Sequence, residues 1–160
     1  MDPRGLRDKY TDYFKNSQAI AEINLRYCME NPKKRRGYGE DGWGLSASDG
    51  PWGYNPDEPR PEGDLGKLTP TGALASMPYL PGPAMAALKN YYRNHGSFLW
   101  GEYGFRDAFS LDDHWVNDLY MGLNQGPIVV MIENHRTKRP WLLFGADPEI
   151  QAMRKKVFKP

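Results

Sequence analysis

Five carboxylate side chains fall in segments rich in glycine, proline and aromatic residues rather than on the faces of predicted helices. They are Glu40, Asp41, Asp49, Glu102 and Asp107. Two carboxyl groups that face each other across a groove can hydrolyse a glycosidic bond, since one protonates the leaving oxygen while the other activates water or attacks the sugar. These loop carboxylates are therefore the first candidates for acid–base chemistry.

Asp49 and Asp107 have the most informative neighbours in the sequence. Asp49 lies between Trp43 and Trp52, where it either belongs to a site or forms an Asx turn with the local backbone. Asp107 follows Arg106 between two phenylalanines, and Arg106 either orients it for chemistry or forms a structural ion pair with it. The sequence alone leaves both alternatives open at each position.

Aromatic residues supply a second candidate feature. They make up 13% of the chain, and 17 Gly and 14 Pro surround them. Rings in such loops are typical of surfaces that stack on sugars or bases, and equally of a core built largely from loops. Trp43, Trp52 and Tyr54 fall within residues 37–70, a segment whose length and composition favour a functional loop over a disordered linker.

Several classes of site are disfavoured by the sequence. The three histidines, His95, His114 and His135, are widely spaced without a second ligand at a metal-binding interval, so we predict no metal site and no cofactor. Cys28 is the single cysteine, which excludes an internal disulfide. A net charge of +1 argues against nucleic-acid binding. No apolar run approaches the ~18 residues of a membrane span, and the residues after Met1 do not form a signal peptide.

Hydrophobic periodicity and capping residues predict the helices that must position these candidates. Residues 9–31 form the first, and apolar side chains almost all round it indicate a buried helix. Residues 69–77 form a short helix, 83–94 another, and 147–156 the last. A further helical stretch is predicted over residues 112–120, inside an otherwise loop-like region.

Residues 127–136 are ambiguous from local chemistry alone. Their run of branched apolar residues favours a buried strand by propensity. Pro127 at a first helical turn, followed by a polar tail after Ile132, is equally compatible with a fully buried helix.

Four stretches of the chain occur in an informative order. They are Asp2–Leu6 with Tyr13–Phe14, Gly37–Glu40 with Trp43–Gly50, Thr69–Thr71 with Ala73–Ser76, and Leu99–Phe109 followed by Asn124–Asn134. Together they resemble the glycoamylase-like domain family, whose characterised members include bacterial endo-β-1,2-glucanases. The resemblance covers the chain from about Asp2 to Phe158, and its GLSASDG and QGPIVVMIEN blocks are highly specific.

This resemblance implies a fold. The family is an all-α, (α/α) toroid that acts on glucans in its central bowl, so residues 127–136 should be helical. Twelve toroid helices of roughly 11–12 residues, joined by loops of about 5, need on the order of 200 residues. We therefore expect residues 1–160 to be a single domain that forms the C-terminal portion of the toroid, a half-barrel with long loops rich in glycine, proline and aromatic residues.

The resemblance also implies roles for site residues. Asp107 and Asp49 would bind sugar hydroxyls or assist catalysis, and Arg106 would orient Asp107. Asn124 stands where many members carry an aspartate in a plausible base position; an amide cannot take a proton from water but can hydrogen-bond a hydroxyl. The family's general acid is expected upstream of Met1. The predicted substrate-binding residues are Trp43, Trp52, Tyr54, Glu40, Trp100, Arg106 and Gln125.

Two functions follow as hypotheses. In the first, the chain is a carbohydrate-active domain that resembles glycoside hydrolases of β-1,2-glucan or related glucans. In the second, it is a non-catalytic or degenerate glucan-binding domain, which Asn124 and the expected position of the general acid favour. The predicted partners are a glucan or oligosaccharide, and a missing N-terminal half or a second copy that covers an exposed apolar face. The family is typically periplasmic or secreted, although this chain shows no export signal.

Overall fold

The computed structural model describes residues 1–158, which form helices in three groups separated by short hairpins. Within those residues the helices are α1 (Tyr13–Glu30), α2 (Pro70–Leu74), α3 (Pro81–Asn94), α4 (Gly96–Leu99), α5 (Gly122–Arg136), α6 (Arg139–Ala146) and α7 (Pro148–Val157). The strands are β1 (Ala47–Gly50), β2 (Gly53–Pro56), β3 (Trp100–Gly101), β4 (Gly104–Phe105), β5 (Phe109–Ser110) and β6 (Trp115–Val116). They pair as the antiparallel hairpins β1–β2, β3–β4 and β5–β6. The mostly helical fold is confirmed, whereas the hairpins are an addition to the predicted all-α class.

α1 begins after Asp12, whose carboxylate accepts a hydrogen bond from the backbone N–H of Lys15. Its C-terminal half packs into the core through Tyr27 and Cys28, while Ile20 is exposed. The expectation of a wholly buried helix is therefore wrong. The apolar side chains surround the helix, but its neighbours cover one side of it.

α5 is a helix throughout residues 127–136, as the family resemblance implied. Pro127 lies inside the helix rather than in its first turn, because α5 begins at Gly122. Ile128 is buried, whereas Val129 and Val130 are exposed, so the helix is not fully buried as local chemistry suggested.

The predicted helix over residues 112–120 is wrong. A turn and the strand β6 occupy this stretch, and β6 pairs with β5 through Phe109 and Val116. His114 adopts the left-handed region at φ 50° within the turn, which breaks any helix there. The turn between β5 and β6 reverses the chain direction, and Phe109 on β5 is fully buried in the core.

The last two helices close the described part of the chain. α7 begins after Asp147, whose carboxylate accepts the backbone N–H of Glu149 at 2.8 Å, close to the predicted start. α6 was not predicted from the sequence. Among residues 1–158, we find no helix with the length and apolar character needed to cross a membrane.

The core joins α3 to the long loop that precedes β1. Its largest fully buried side chains include Trp43, Tyr91, Phe105 and Phe109. The ring of Tyr91 meets those of Phe105 and Phe109 edge to face, at centroid distances of 6.4 and 5.5 Å. The Tyr91 hydroxyl accepts the backbone N–H of Trp43 at 3.0 Å and donates to the Trp43 carbonyl. These contacts fix the loop against the body of the domain.

Candidate functional site

The β1–β2 hairpin presents two exposed aromatic rings beside a carboxylate. Asp49 on β1 pairs in register with Tyr54 on β2, and Trp52 lies in the turn between the strands. Trp52 is 71% exposed and Tyr54 is 70% exposed. Both rings line a cavity of about 150 Å³, which Leu65 and Lys67 also border. The hairpin therefore provides a small aromatic cavity next to Asp49.

A buried ion pair holds this hairpin on the domain. Lys67 Nζ donates to Asp57 Oδ1 at 2.8 Å and to the carbonyl oxygen of Asn55 at 2.9 Å. The side chains of Lys67 and Asp57 are almost completely buried. Because Asn55 belongs to β2, the pair fixes the strand that carries Tyr54. A buried pair with this geometry becomes costly as soon as one partner is removed.

Asp107 is the buried carboxyl group of the site. It lies between β4 and β5, is 2% exposed, and its backbone N–H donates to the carbonyl oxygen of Leu119 at 3.1 Å. Asn124, in the first turn of α5, donates an amide hydrogen bond to Asp107 Oδ1. Asp107 Oδ2 has no hydrogen-bond partner among the described residues. One carboxyl oxygen is thus held by an amide, and the other is buried without a hydrogen-bond partner among the described residues.

The surroundings of Asp107 favour its protonated form. Burial raises the pKa of Asp107 above the ordinary aspartate value, and the negative charge of Asp49 raises it further. The hydrogen bond from Asn124 and the positive charge of Lys67 act in the opposite direction on the same pKa. Asn124 therefore contacts Asp107 directly, while Asp49 and Lys67 act on its pKa through their charges.

Two predicted roles are contradicted by the packing. Trp43 has an exposed fraction of 0%, so its ring has no face on which a sugar could stack. Its indole N–H donates to the carbonyl oxygen of Pro83, which is the behaviour of a core tryptophan. Arg106 forms its ion pair with Asp118, so the predicted orientation of Asp107 by Arg106 is wrong. Asn124 on α5 orients Asp107 instead.

The other predicted binding residues lie at different places around the domain. Trp100 on β3 is partly exposed and packs edge to face on Phe105, at a centroid distance of 4.8 Å. Gln125 donates to the carbonyl oxygen of Phe105 and so holds β4 against α5. Glu40 lies exposed in a turn closed by Gly39 and Gly42.

Lys67 is a site residue that the sequence did not indicate. It stands alone between Gly66 and Leu68, without the charge pattern or periodicity that marks a functional lysine. Its partner Asp57 lies ten residues earlier, and the pairing depends on how the loop folds back. Within residues 1–158, no group of three or more histidine, cysteine or acidic side chains is arranged to hold a metal ion.

Comparison with known proteins assigns the sequence of this chain to a family. Residues 1–148 match the model of the Glycoamylase family, which is described as "Putative glucoamylase". The chain belongs to this family. The match covers the aromatic hairpin, the buried Asp107 and the whole of α5 and α6.

The chain is also similar to individual members of known activity. It is 60% identical over 151 residues to an exo β-1,2-glucooligosaccharide sophorohydrolase (non-reducing end) from Parabacteroides distasonis, a match that spans 94% of this chain and 21% of the relative. A crystal structure of a β-1,2-glucanase from the same organism superposes with a TM-score of 0.97 at 57% identity, over 100% of this chain and 23% of that one. An endo-β-1,2-glucanase from Chitinophaga pinensis, in complex with sophorotriose and glucose, gives a TM-score of 0.96 at 44% identity, over 99% of this chain and 38% of that one. The chain thus spans less than two fifths of the length of these relatives.

Proposed function

We propose that this chain supplies glucan-binding rings and one catalytic carboxyl group to a glycoside hydrolase that acts on β-1,2-linked glucans. The names of the relatives from Parabacteroides distasonis and Chitinophaga pinensis support this substrate class. The helices would form the C-terminal portion of an (α/α) toroid, with the hairpins as loops of its bowl. The expectation of a single domain over residues 1–160 is part of the same proposal.

The observation that carries the proposal is the state of Asp107. Burial raises the pKa of Asp107, so its carboxylate is a stronger base than that of an ordinary aspartate and can assist by accepting a proton from water or a sugar hydroxyl. Oδ2 is buried and has no hydrogen-bond partner among the described residues, and an unpaired buried oxygen of this kind would be satisfied by a hydrogen bond from a sugar hydroxyl once the local segment opens to it. The negative charge of Asp49 acts on Asp107, and we take Asp49 as the second carboxylate that glycoside hydrolysis requires.

The aromatic cavity would bind the glucan beside these groups. The exposed rings of Trp52 and Tyr54 have free faces on which the C–H face of a glucosyl unit can stack. Their strands are fixed by the Lys67–Asp57 pair, so little conformational entropy is lost when a ligand binds. Trp100 is a further exposed ring in the proposed binding set, and Gln125 supports it through Phe105.

A second candidate function is glucan binding without cleavage. The contact that favours it is the amide of Asn124, which occupies one oxygen of Asp107 and cannot itself accept a proton from water. In that case Asp107 would serve as a hydrogen-bonding group for sugar hydroxyls.

α5 and α6 expose apolar side chains that further helices or a second copy of the chain could cover. Val129, Leu142, Leu143 and Phe144 are all more than half exposed. Several large apolar side chains exposed on two neighbouring helices are typical of an interface. We propose that this surface packs against further helices of a larger domain, and that self-association through the same face is the alternative. Sedimentation velocity of the isolated chain separates a monomer from an oligomer.

The test is a parallel measurement of binding and turnover with linear β-1,2-glucan. Release of reducing ends that disappears in the Asp107→Asn variant, with glucan binding retained, supports the hydrolase. Binding without any release supports the second candidate. If neither binding nor release is detected, both functions are contradicted.

A further inference from the structure

A second pair of aromatic rings joins the turn of the β3–β4 hairpin to Tyr120, a partly exposed residue in the segment between β6 and α5, and neither ring borders the cavity of Trp52 and Tyr54. Tyr103 lies in the turn of this hairpin and is 66% exposed. Its ring meets that of Tyr120 edge to face, with the centroids 5.6 Å apart and the planes at 78°. We call these two residues the tyrosine pair.

The tyrosine pair is held in place by its surroundings. A Cβ atom on Gly101 would lie 1.8 Å from the hydroxyl oxygen of Tyr120, so glycine at this position of β3 leaves room for the Tyr120 ring where it lies. The guanidinium carbon of Arg106 lies 5.6 Å from the ring centroid of Tyr120, and Arg106 is itself paired with Asp118. Rings that are fixed before binding lose less entropy when a ligand stacks on them.

The pair is attached to both segments that hold Asp107. Arg106, which contacts Tyr120, directly precedes Asp107 in the chain. Leu119, which directly precedes Tyr120, accepts the backbone N–H of Asp107 at 3.1 Å. The Tyr120 ring thus contacts the residue that precedes Asp107, and Tyr120 follows the residue that accepts the Asp107 backbone N–H.

The polar groups around the tyrosine pair indicate the class of its ligand. Arg106 and the exposed carboxylates of Glu102 and Asp118 lie beside the rings in sequence or space. An aromatic face with charged hydrogen-bonding groups at its edge fits a sugar, whose C–H face is apolar and whose rim carries hydroxyls. An apolar protein partner would leave these charges without hydrogen bonds.

We propose that the tyrosine pair is a second sugar-binding subsite, which takes glucosyl units of a glucan chain beyond those held by the cavity of Trp52 and Tyr54. The proposal rests on the proposed function, because it extends the binding of the same glucan. A short oligosaccharide would occupy the aromatic cavity alone. A longer one would contact both pairs of rings.

The experiment compares two ligands, the β-1,2-linked glucose disaccharide and pentasaccharide, by isothermal titration calorimetry. The Tyr103→Ala and Tyr120→Ala variants should raise the Kd for the pentasaccharide by ~10-fold, on the scale of one lost stacking contact, and leave the disaccharide Kd unchanged. The Trp52→Ala variant should raise the Kd for both ligands. Tyr103→Phe keeps a ring and should retain the pentasaccharide affinity, while Tyr10→Ala removes an exposed tyrosine on the N-terminal segment as a matched control.

The outcomes separate the subsite from the proposed function. If the unaltered chain binds both ligands and Trp52→Ala weakens them, but neither tyrosine variant changes the pentasaccharide Kd, the subsite is refuted and the function stands. An equal loss of both ligands in the Tyr103→Ala variant would also refute the subsite, because it points to a general disturbance. If the unaltered chain binds neither ligand, the proposed function fails and the subsite with it. A dimer that Tyr103→Ala dissociates, with unchanged glucan affinity, would assign the pair to self-association instead.

Discussion

Two tryptophans of the same loop region should respond in opposite ways to replacement by alanine. Trp43 is completely buried between α3 and the core rings, whereas Trp52 lies in the turn of the β1–β2 hairpin with most of its surface in solvent. The pair is a controlled comparison, because the same side chain is removed from positions only nine residues apart. The distinction is between a ring that supports the fold and a ring that supports binding.

The Trp43→Ala substitution should lower stability substantially. Removal of a buried tryptophan typically costs about 3–5 kcal/mol, which combines lost burial with the cavity left behind. It would also leave the carbonyl oxygen of Pro83 without the indole N–H that now donates to it. For a domain of this size each kcal/mol lowers the Tm by about 2–4 °C, so the expected decrease is roughly 6–20 °C.

The Trp52→Ala substitution should have almost no effect on stability but a clear effect on binding. An exposed side chain in a turn usually changes the free energy of unfolding by no more than about 0.5 kcal/mol. Stacking of an aromatic side chain on a nucleic-acid base is worth about 1–3 kcal/mol, and the same scale predicts a glucan Kd raised about 5- to 150-fold.

Thermal unfolding followed by circular dichroism gives the two Tm values, and calorimetric titration with β-1,2-glucan gives the affinities. The reasoning is refuted if Trp52→Ala lowers the Tm as much as Trp43→Ala does while glucan affinity persists. Equal Tm values for Trp43→Ala and the unaltered chain would refute the assignment of Trp43 to the core.

Three further predictions concern the charged groups. Burial raises the pKa of Asp107 in the folded state, so its ionisation opposes folding. The stability that its protonated form contributes is present below the unfolded pKa and is lost as pH rises through the folded pKa. Relative to the unaltered chain, Asp107→Asn should therefore gain stability in urea titrations as pH rises above the ordinary aspartate pKa. Lys67→Met should destabilise the chain by about 3–5 kcal/mol by leaving Asp57 buried without its cation, and the double variant Lys67→Met/Asp57→Asn should recover part of that loss in the same titrations. Asn124→Asp would place a second carboxylate against Asp107, so its Tm should fall relative to the unaltered chain at about pH 7 and recover near pH 3; an unchanged Tm difference would contradict the contact.

Local sequence signals predicted the helices whose first and last residues are set by neighbouring residues, such as α3 and α7. The capping carboxylate of Asp147 followed by proline indicated the last helix, and α7 begins where that signal places it. The helix over residues 83–94 was found in the same way, apart from two residues at its start. Capping and periodicity act over three or four residues, so the sequence itself contains the information.

Local sequence signals did not predict the secondary structure correctly where it depends on contacts between segments distant in the sequence. A helix was predicted over residues 112–120, but the pairing of β6 with β5 and the left-handed turn at His114 occupy that stretch. Helical propensity is a weak preference, and a hairpin that buries Phe109 outweighs it. The β-branched run after Pro127 was equally undecidable locally, and the family resemblance correctly predicted the helix.

For this protein the sequence by itself determined the family, the mostly helical class and the set of candidate carboxylates and rings. The tertiary structure alone decided which of these act together: it buried Trp43, turned Arg106 toward Asp118, and placed Asn124 on Asp107. It also created the Lys67–Asp57 pair, for which no local pattern exists. The physical reason is that residue type and spacing define which groups are available, whereas burial and charge pairing depend on segments that are distant in sequence and meet only when the chain folds.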